Sequence, residues 1–524
     1  MARSIDPQPK AARGFIPART DEERYLMRHI EDLAHTAFSR DIARYSAFLS
    51  DREQDLARAA LGRAGVQEGF RFEGGWLNAE RRVLCIEPEY SCGEAPICCV
   101  RLQCRAQAGA ALPAVAQPSL PTLGDGSALT TGEERRLGDR AAEAADAVAT
   151  RHLRRLLRLP GTRIADVAWP RRKSHSWHYW WHAHFVDTLV DAAVHRPSGS
   201  ADGDRSYDPA VAGAVGLLLR GIRLRNRGRW INNYYDDMAW LGLAVERADR
   251  KLGMSHPRAL RDLTGQLLTP WAPEAGGGIP WRNAKASNET DPFFNAPANG
   301  PAAILLARTG HADRAAAMCD WIETTLVDTA SQLIIDGIRP GPDRTERVTA
   351  IYTYCQGVVL GAETELLRLT GEAVHAERID RLLGAVERRL APDKIIKAAP
   401  FGGGGDGGLF SGILARYLAL IATDLPSCAP GADELRRRAA AIVTTSAEAA
   451  WANRLDIGGS PVFGHDWRIP ARMPVSGGAV GKTVDGATQS SQMPEQDLSV
   501  QLSGWMVLEA AAAIDLGLSE HVSH

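Results

Sequence analysis

The rhythm of polar and apolar positions changes twice along the chain. Residues 21–45 place Tyr25, Met27, Ile30, Leu33 and Ala34 on one helical face, and a Ser50-Asp51 cap opens a second helix to about Leu61. The rhythm then becomes alternation over 70–76 with its Gly-Gly turn, over 79–86 and over 100–104, and predicts three strands. Residues 1–104 thus read as a small α+β module. Residues 105–132 are rich in Ala, Pro, Gly and Ser without a period, and read as a linker. From Glu133 the period is helical, and 133–524 reads as one all-α domain. Twelve helices are predicted, over 133–158, 178–194, 209–225, 233–251, 256–268, 296–309, 311–328, 350–369, 371–390, 408–423, 431–452 and 497–516, with no strand pair between them.

These helices alternate in character. The odd-numbered ones, such as 133–158, 371–390 and 431–452, are amphipathic and rich in Ala, Arg and Glu. The even-numbered ones are more apolar, and most begin with a polar, aromatic or glycine-rich cluster. Examples are WHYWWH (177–182), NAPANG (295–300), YTYCQG (352–357) and GDGGLF (405–410). Helices buried on all sides are apolar all round. An inner ring of six helices inside an outer ring of six, an (α/α)6 barrel or toroid, accounts for the alternation. Alternate helices then run the same way, and their opening clusters meet at one mouth. A plain bundle or solenoid gives no reason for that clustering.

Composition narrows the picture. Hydrophobic residues make up 45% of the chain, enough for a large core, and 61 basic against 63 acidic side chains leave a net charge of −2. A near-neutral balance argues against general nucleic-acid binding. The first residues carry no apolar signal-like run and nothing is long enough to span a membrane, so a soluble cytoplasmic protein is expected. Eight cysteines without a CxxC spacing read as buried reduced thiols.

The mouth gathers the candidate chemistry. In the stretch Asn232-Asn233-Tyr234-Tyr235-Asp236-Asp237-Met238-Ala239-Trp240, two neighbouring acids stand among three rings. A plain helix N-terminus favours acids and an Asn cap, but buried unpaired charge is costly. Trp177, Trp180, Trp181, Trp281 and Tyr354 belong to the same mouth, with amides between them. Aromatic faces stack on pyranose rings and amides bond hydroxyls, so a sugar chain fits. Two carboxylates in such a groove suit glycoside hydrolysis. Adjacent Cα atoms lie about 3.8 Å apart, so the carboxyls reach the retaining separation of about 5 Å rather than the inverting one. Their mutual repulsion keeps one protonated as the acid.

NNYYDDMAW (232–240), followed in order by GGGIPWR (276–282), NAPANGPAAILLAR (295–308), YTYCQG (352–357) and GDGGLF (405–410), resembles glycoside hydrolase family 76, the endo-α-1,6-mannanases. The resemblance spans 133–516. It implies an (α/α)6 barrel, Asp236 as nucleophile, Asp237 as acid/base, an α-mannan substrate and no cofactor. Substrate-binding roles are then expected for Trp180, Trp181, His182, Asn233, Tyr234, Tyr235, Trp281, Asn295, Asn299, Tyr354, Gln356, Asp406 and Phe410. Three departures bear on subsite preference: His182 where Gln is frequent, Cys355 where Asn is common, and a longer, more polar stretch from Arg282 to Thr290. Mannan is often extracellular, which sits against the cytoplasmic expectation.

FLSDREQ (48–54), FEGGWLNAERRVL (72–84) and PEY (88–90) are similar to the N-terminal part of bacterial S4-domain RNA-binding proteins, without the S4 module. Two other function classes therefore stand beside the hydrolase: a non-catalytic glycan-binding barrel, and a ribosome-associated RNA binder acting through residues 1–104. Competing motifs are weaker. His178 and His182 have metal-ligand spacing but lack the glutamate of HExxH. Residues 476–483 imitate a P-loop, with Ser476 where its first glycine belongs, and read as a solvated loop. The glycines of 402–408 suit close approach of backbone to substrate.

Overall fold

The computed structural model describes residues 45–47, 70–72, 75–78, 83–85 and 100–103, then 131–522 except 171–176, 196–206, 274–275, 284–291, 342–343, 400–402, 475–480 and 485. The chain divides into two compact units, Met1–Ser127 with Val475–Gly477, and Ala128–Pro474 with Gly478–His524.

In the first unit the described residues form a five-stranded sheet. Its strands are β1 (Tyr45–Ala47), β2 (Phe70–Phe72), β3 (Gly75–Asn78), β4 (Val83–Cys85) and β5 (Val100–Gln103), in the order β1-β5-β4-β3-β2. β1 runs parallel to β5 and the other pairs are antiparallel. Tyr45 opens a strand where the sequence suggested the end of a helix; the rest of 21–44 and the segments 48–54 and 88–90 lie outside the described residues.

The second unit holds twelve α-helices among the described residues. They are α1 (Thr131–His152), α2 (Tyr179–His195), α3 (Pro209–Arg225), α4 (Tyr235–Leu252), α5 (Pro257–Leu268) and α6 (Ala296–Arg308). Then follow α7 (Ala312–Leu326), α8 (Thr353–Thr370), α9 (Ala373–Arg389), α10 (Gly407–Asp424), α11 (Ala432–Ala452) and α12 (Leu498–Val522). The even helices pack in sequence, α2 on α4, α4 on α6, α6 on α8, α8 on α10 and α10 on α12, and α12 closes the ring on α2. Each odd helix lies outside, packed on an even neighbour. This is the (α/α)6 barrel. Burial explains the alternation. Every residue of α8 from Thr353 to Leu367 is buried, whereas α9 buries one stripe that includes His375, Ile379, Leu382 and Val386.

Two local differences from the sequence reading have simple causes. α1 stops at His152 rather than near 158, because Leu153–Arg154 (β6) turns back to pair with Ile164–Ala165 (β7). Short strands do interrupt the helices: β8 (Phe294–Asn295), β9 (Gly337–Arg339) and β10 (Glu346–Val348) make a three-stranded sheet. Two hairpins, β11 (Leu455–Asp456) with β12 (Pro461–Val462) and β13 (Thr483–Val484) with β14 (Ala487–Thr488), complete the set. Strands of two or three residues are too short to show a period of two.

The inner helices carry charge in the halves distant from the mouth. Arg247 of α4 bonds both Asp187 and Asp191 of α2. Arg416 of α10 reaches the same acids at 2.6 and 3.3 Å. Arg308 of α6 joins Glu365 of α8 at 2.6 Å and Glu246 of α4 at 3.5 Å. His195 of α2 meets Glu509 of α12 at 2.6 Å. This buried belt ties all six inner helices to one another. Removing one partner of a buried pair strands the other charge, at about 3–5 kcal/mol. Arg247→Met is therefore expected to lower unfolding free energy by about that much, read by chemical denaturation, while the mouth keeps its geometry.

Candidate active site

The mouth is a cleft of about 680 Å³, lined by the N-terminal ends of α2, α4, α6, α8 and α10 and by the β13–β14 hairpin. Its centre is the start of α4. Asn232 accepts the Tyr234 N–H at 2.9 Å, and its amide donates to Asp237 Oδ2 at 2.5 Å. The Tyr235 N–H donates to the Trp281 carbonyl at 2.9 Å, and the Asn283 N–H to that of Asn233 at 2.9 Å. This pairing carries Trp281 back over the helix start, where its indole N–H donates to Asp236 Oδ2 at 2.9 Å. The other oxygen of Asp236 accepts the Asp237 N–H at 2.8 Å. Both carboxylates are thus held by separate donors at a helix N-terminus, whose dipole favours negative charge.

The two are not equivalent. Burial pushes Asp236 up to about 7, against the Trp281 and Asp237 bonds that favour its ionised form, with the Asp406 charge adding to the rise. Burial and then the neighbouring Asp236 push Asp237 well above the usual carboxylate range, with Asn232 opposing. Two N–H donors favour the ionised form of Asp236, against one amide donor at Asp237, and the two charges repel, so the pair does not carry both charges readily.

Asp406, just ahead of α10, is the third acid of the cleft. Its Oδ1 accepts the indole N–H groups of Trp180 at 3.0 Å and Trp181 at 2.9 Å. Its Oδ2 accepts the Thr488 N–H at 2.6 Å, and its own N–H donates to the Thr488 carbonyl at 2.9 Å. Burial raises it to about 6 against these bonds. Gly486, in the left-handed region (φ +87°), sets the hairpin backbone against the opposite wall; a Cβ there would lie 2.7 Å from the Trp281 ring. Aromatic faces line the walls. Trp180 stacks on Trp240 (6.5 Å, 29°), Tyr354 on Phe410 (4.0 Å, 19°), and Tyr234 meets Trp281 edge-on at 5.3 Å.

Of the residues expected to bind substrate, Trp180, Asn233, Tyr234, Trp281, Asn295, Tyr354, Asp406 and Phe410 line this cleft. Asn295 does so while capping α6, its side chain accepting the Ala298 N–H at 3.1 Å. Trp181, His182, Tyr235, Asn299 and Gln356 do not; they stand buried behind the wall. Three of these share one task. Asn299 accepts the Ile279 N–H at 2.8 Å and donates to the Ile279 carbonyl at 2.9 Å. Gln356 does the same with Ile334, at 2.8 and 2.9 Å. His182 Nε2 lies 3.1 Å from the Ala165 N–H, while Nδ1 lies 2.7 Å from the His178 carbonyl. Burial holds this imidazole near 4, so it stays neutral, with Nδ1 donating and Nε2 accepting. Gln501 of α12 repeats the clamp on Phe463, at 3.0 and 2.9 Å. Each is the fourth residue of its helix and pairs with a neighbouring backbone, a loop or, for His182, β7, as a strand would. Buried backbone groups need such partners.

Asp336 and Arg339 line the cleft and were not anticipated. Burial raises Asp336 to about 7, with Arg339 opposing. An acid inside Ile334-Ile335-Asp336-Gly337 was the available signal. Cys355 is buried below Tyr354. Among the described residues no three His, Cys, Asp or Glu side chains converge to hold a metal.

The sequence profile of glycosyl hydrolase family 76 matches residues 140–496, well over half the chain. The chain belongs to glycosyl hydrolase family 76. It is similar to the alpha-1,6-mannanase GH76A of Salegentibacter sp. HEL1_6, at 26% identity over 72% of this chain and 99% of that one (TM-score 0.59). An inactive variant of that enzyme, with two consecutive aspartates changed to asparagine, is solved with alpha-1,6-mannotriose and matches at TM-score 0.57 with the same identity and coverage. A Listeria innocua protein shares the fold at 23% identity, over 74% of this chain and 98% of that one (TM-score 0.58). A comparison with curated proteins returns no match. As a family 76 member the protein is a glycoside hydrolase.

Trp281→Phe keeps a ring but removes the N–H donated to Asp236. A hydrogen bond to a charged group is worth about 1.5–3 kcal/mol, or about 1–2 pK units. Losing it raises the Asp236 pKa, so the acid limb of the kcat/KM profile is expected to move up by about 1–2 pH units. A pH–rate series on the variant measures this.

Proposed function

We propose that this family 76 enzyme hydrolyses α-1,6-mannosidic linkages within mannan-type glycans, with retention of the anomeric configuration. The carrying observation is the adjacent pair Asp236–Asp237, held by different donors and with unequal proton affinity, inside an aromatic-walled cleft. Ionised Asp236 attacks the anomeric carbon. The bond to the leaving oxygen breaks as an ester to Asp236 forms, and Asp237 delivers its proton to that oxygen. Asp237, now a carboxylate, takes a proton from water; the water oxygen bonds the anomeric carbon and the ester breaks. Two inversions return the α-anomer. Support for linkage and substrate comes from the Salegentibacter enzyme, a 26% identical alpha-1,6-mannanase whose variant lacking two consecutive aspartates is inactive yet binds alpha-1,6-mannotriose.

Linear α-1,6-mannan, followed by reducing-end assay and NMR, is the test. The α-anomer is expected first, with turnover lowered at least about 10⁴-fold in Asp236→Ala and in Asp237→Ala. First release of the β-anomer would overturn the nucleophile assignment, and no release from folded protein would overturn the substrate. The pH profile is expected to be a bell. Its rate rises as Asp236 ionises near 7 and falls when Asp237 loses its proton at higher pH.

A further inference from the structure

Beside the cleft lies a surface the hydrolase chemistry does not use. The turn between β6 and β7 packs on the C-terminal half of α3. The Arg163 N–H donates to the Leu217 carbonyl at 2.9 Å, Arg220 donates to the Gly161 carbonyl at 3.1 Å, and the absent Cβ of Gly221 leaves room for the Arg163 backbone. These two segments are strongly basic; Arg154 pairs with Asp166 just beyond the first of them. Residues 151–165 and 209–235 together hold ten arginines and no Asp or Glu, in a chain whose net charge is only −2. Arg155, Arg158, Arg223, Arg227 and Arg229 are exposed, and no described carboxylate lies within ion-pair distance of them.

The same surface exposes large apolar side chains: Leu157 at 81%, Leu224 at 49% and Leu159 at 46%. Its backbone is unusual too. Of five described non-glycine residues in the left-handed region, Leu157 (φ 46°), Arg158 (φ 62°) and Arg227 (φ 56°) fall here. Such a conformation is unfavourable for a bulky residue, yet here it turns a leucine fully into solvent. Asn226, at the end of α3, lines the cleft itself, so the patch borders the mouth.

We propose that this patch docks the protein on an anionic lipid bilayer, with the arginines at the headgroups and the leucines in the interface. Unpaired arginines favour an anionic partner and disfavour a second copy of this arginine face. Exposed leucines gain nothing from a soluble polyanion but do gain from an acyl boundary. Among the described residues no helix is long and apolar enough to cross a membrane. The proposed docking is peripheral, and it sets the cleft beside glycan borne at that surface.

Full-length protein is to be sedimented with phosphatidylcholine vesicles containing about one third phosphatidylglycerol, and with pure phosphatidylcholine. At about 1 kcal/mol per surface arginine, Arg155→Glu/Arg158→Glu/Arg227→Glu is expected to weaken anionic-vesicle binding at least about 100-fold. Leu157→Asn/Leu224→Asn is expected to weaken it about tenfold. Asn suits the left-handed backbone at 157, so Tm and hydrolysis of a soluble oligosaccharide should not fall, which separates docking from folding and from catalysis. Equal retention on neutral vesicles would overturn the proposal. So would binding that a soluble polyanion competes away while the leucine variant binds normally, since that marks a polyanion site.

Discussion

Three indole and backbone N–H groups converge on the carboxylate of Asp406, and the cleft depends on that convergence. Two belong to Trp180 and Trp181 of α2, the third to Thr488 of the hairpin before α12. One short side chain thereby joins the openings of α10, α2 and α12, which are neighbours in the ring but more than two hundred residues apart in part of the sequence. The charge it carries also reaches Asp236 and Asp237 and strengthens their hold on protons. Support of the wall and tuning of the acids thus rest on one group that does not need to touch the bond being broken.

The first turns of the inner helices divide the labour by position. Residues from just before the helix to its second position face the cleft, among them Asp236, Asn295, Tyr354 and Asp406. The fourth residue lies one turn in and points back between helix and loop. There Asn299, Gln356 and Gln501 replace the missing strand neighbour of a buried loop, and His182 meets the backbone of β7. Asn299 thus anchors Ile279, two residues before Trp281, from behind the cleft wall, and the same clamp recurs because the same helical hairpin recurs.

That division also explains what the sequence made legible. Complete burial leaves no polar face, so the inner helices announced themselves by composition, and α8 is the clearest case. The acid pair stood out because adjacent carboxylates amid rings have few structural uses. By contrast, Asn299 and Gln356 have the same side-chain chemistry as a hydroxyl-binding amide, and only a turn's rotation separates the two tasks. Asp336 stands just before β9, a strand too short to carry a pattern, and Thr488 contributes only its backbone to Asp406, which no side-chain motif records.

The buried charge belt has a consequence for how such a chain can change over time. It lies in the distant halves of α2, α4, α6, α8, α10 and α12, while the cleft is built at their opening turns and in the loops before them. Loops at the mouth can lengthen, swap residues or acquire a hairpin without disturbing the charges that lock the ring. A barrel organised this way is free to explore new ligands at one end while its foldedness is inherited from the other, which fits relatives that keep the architecture at 23–26% identity.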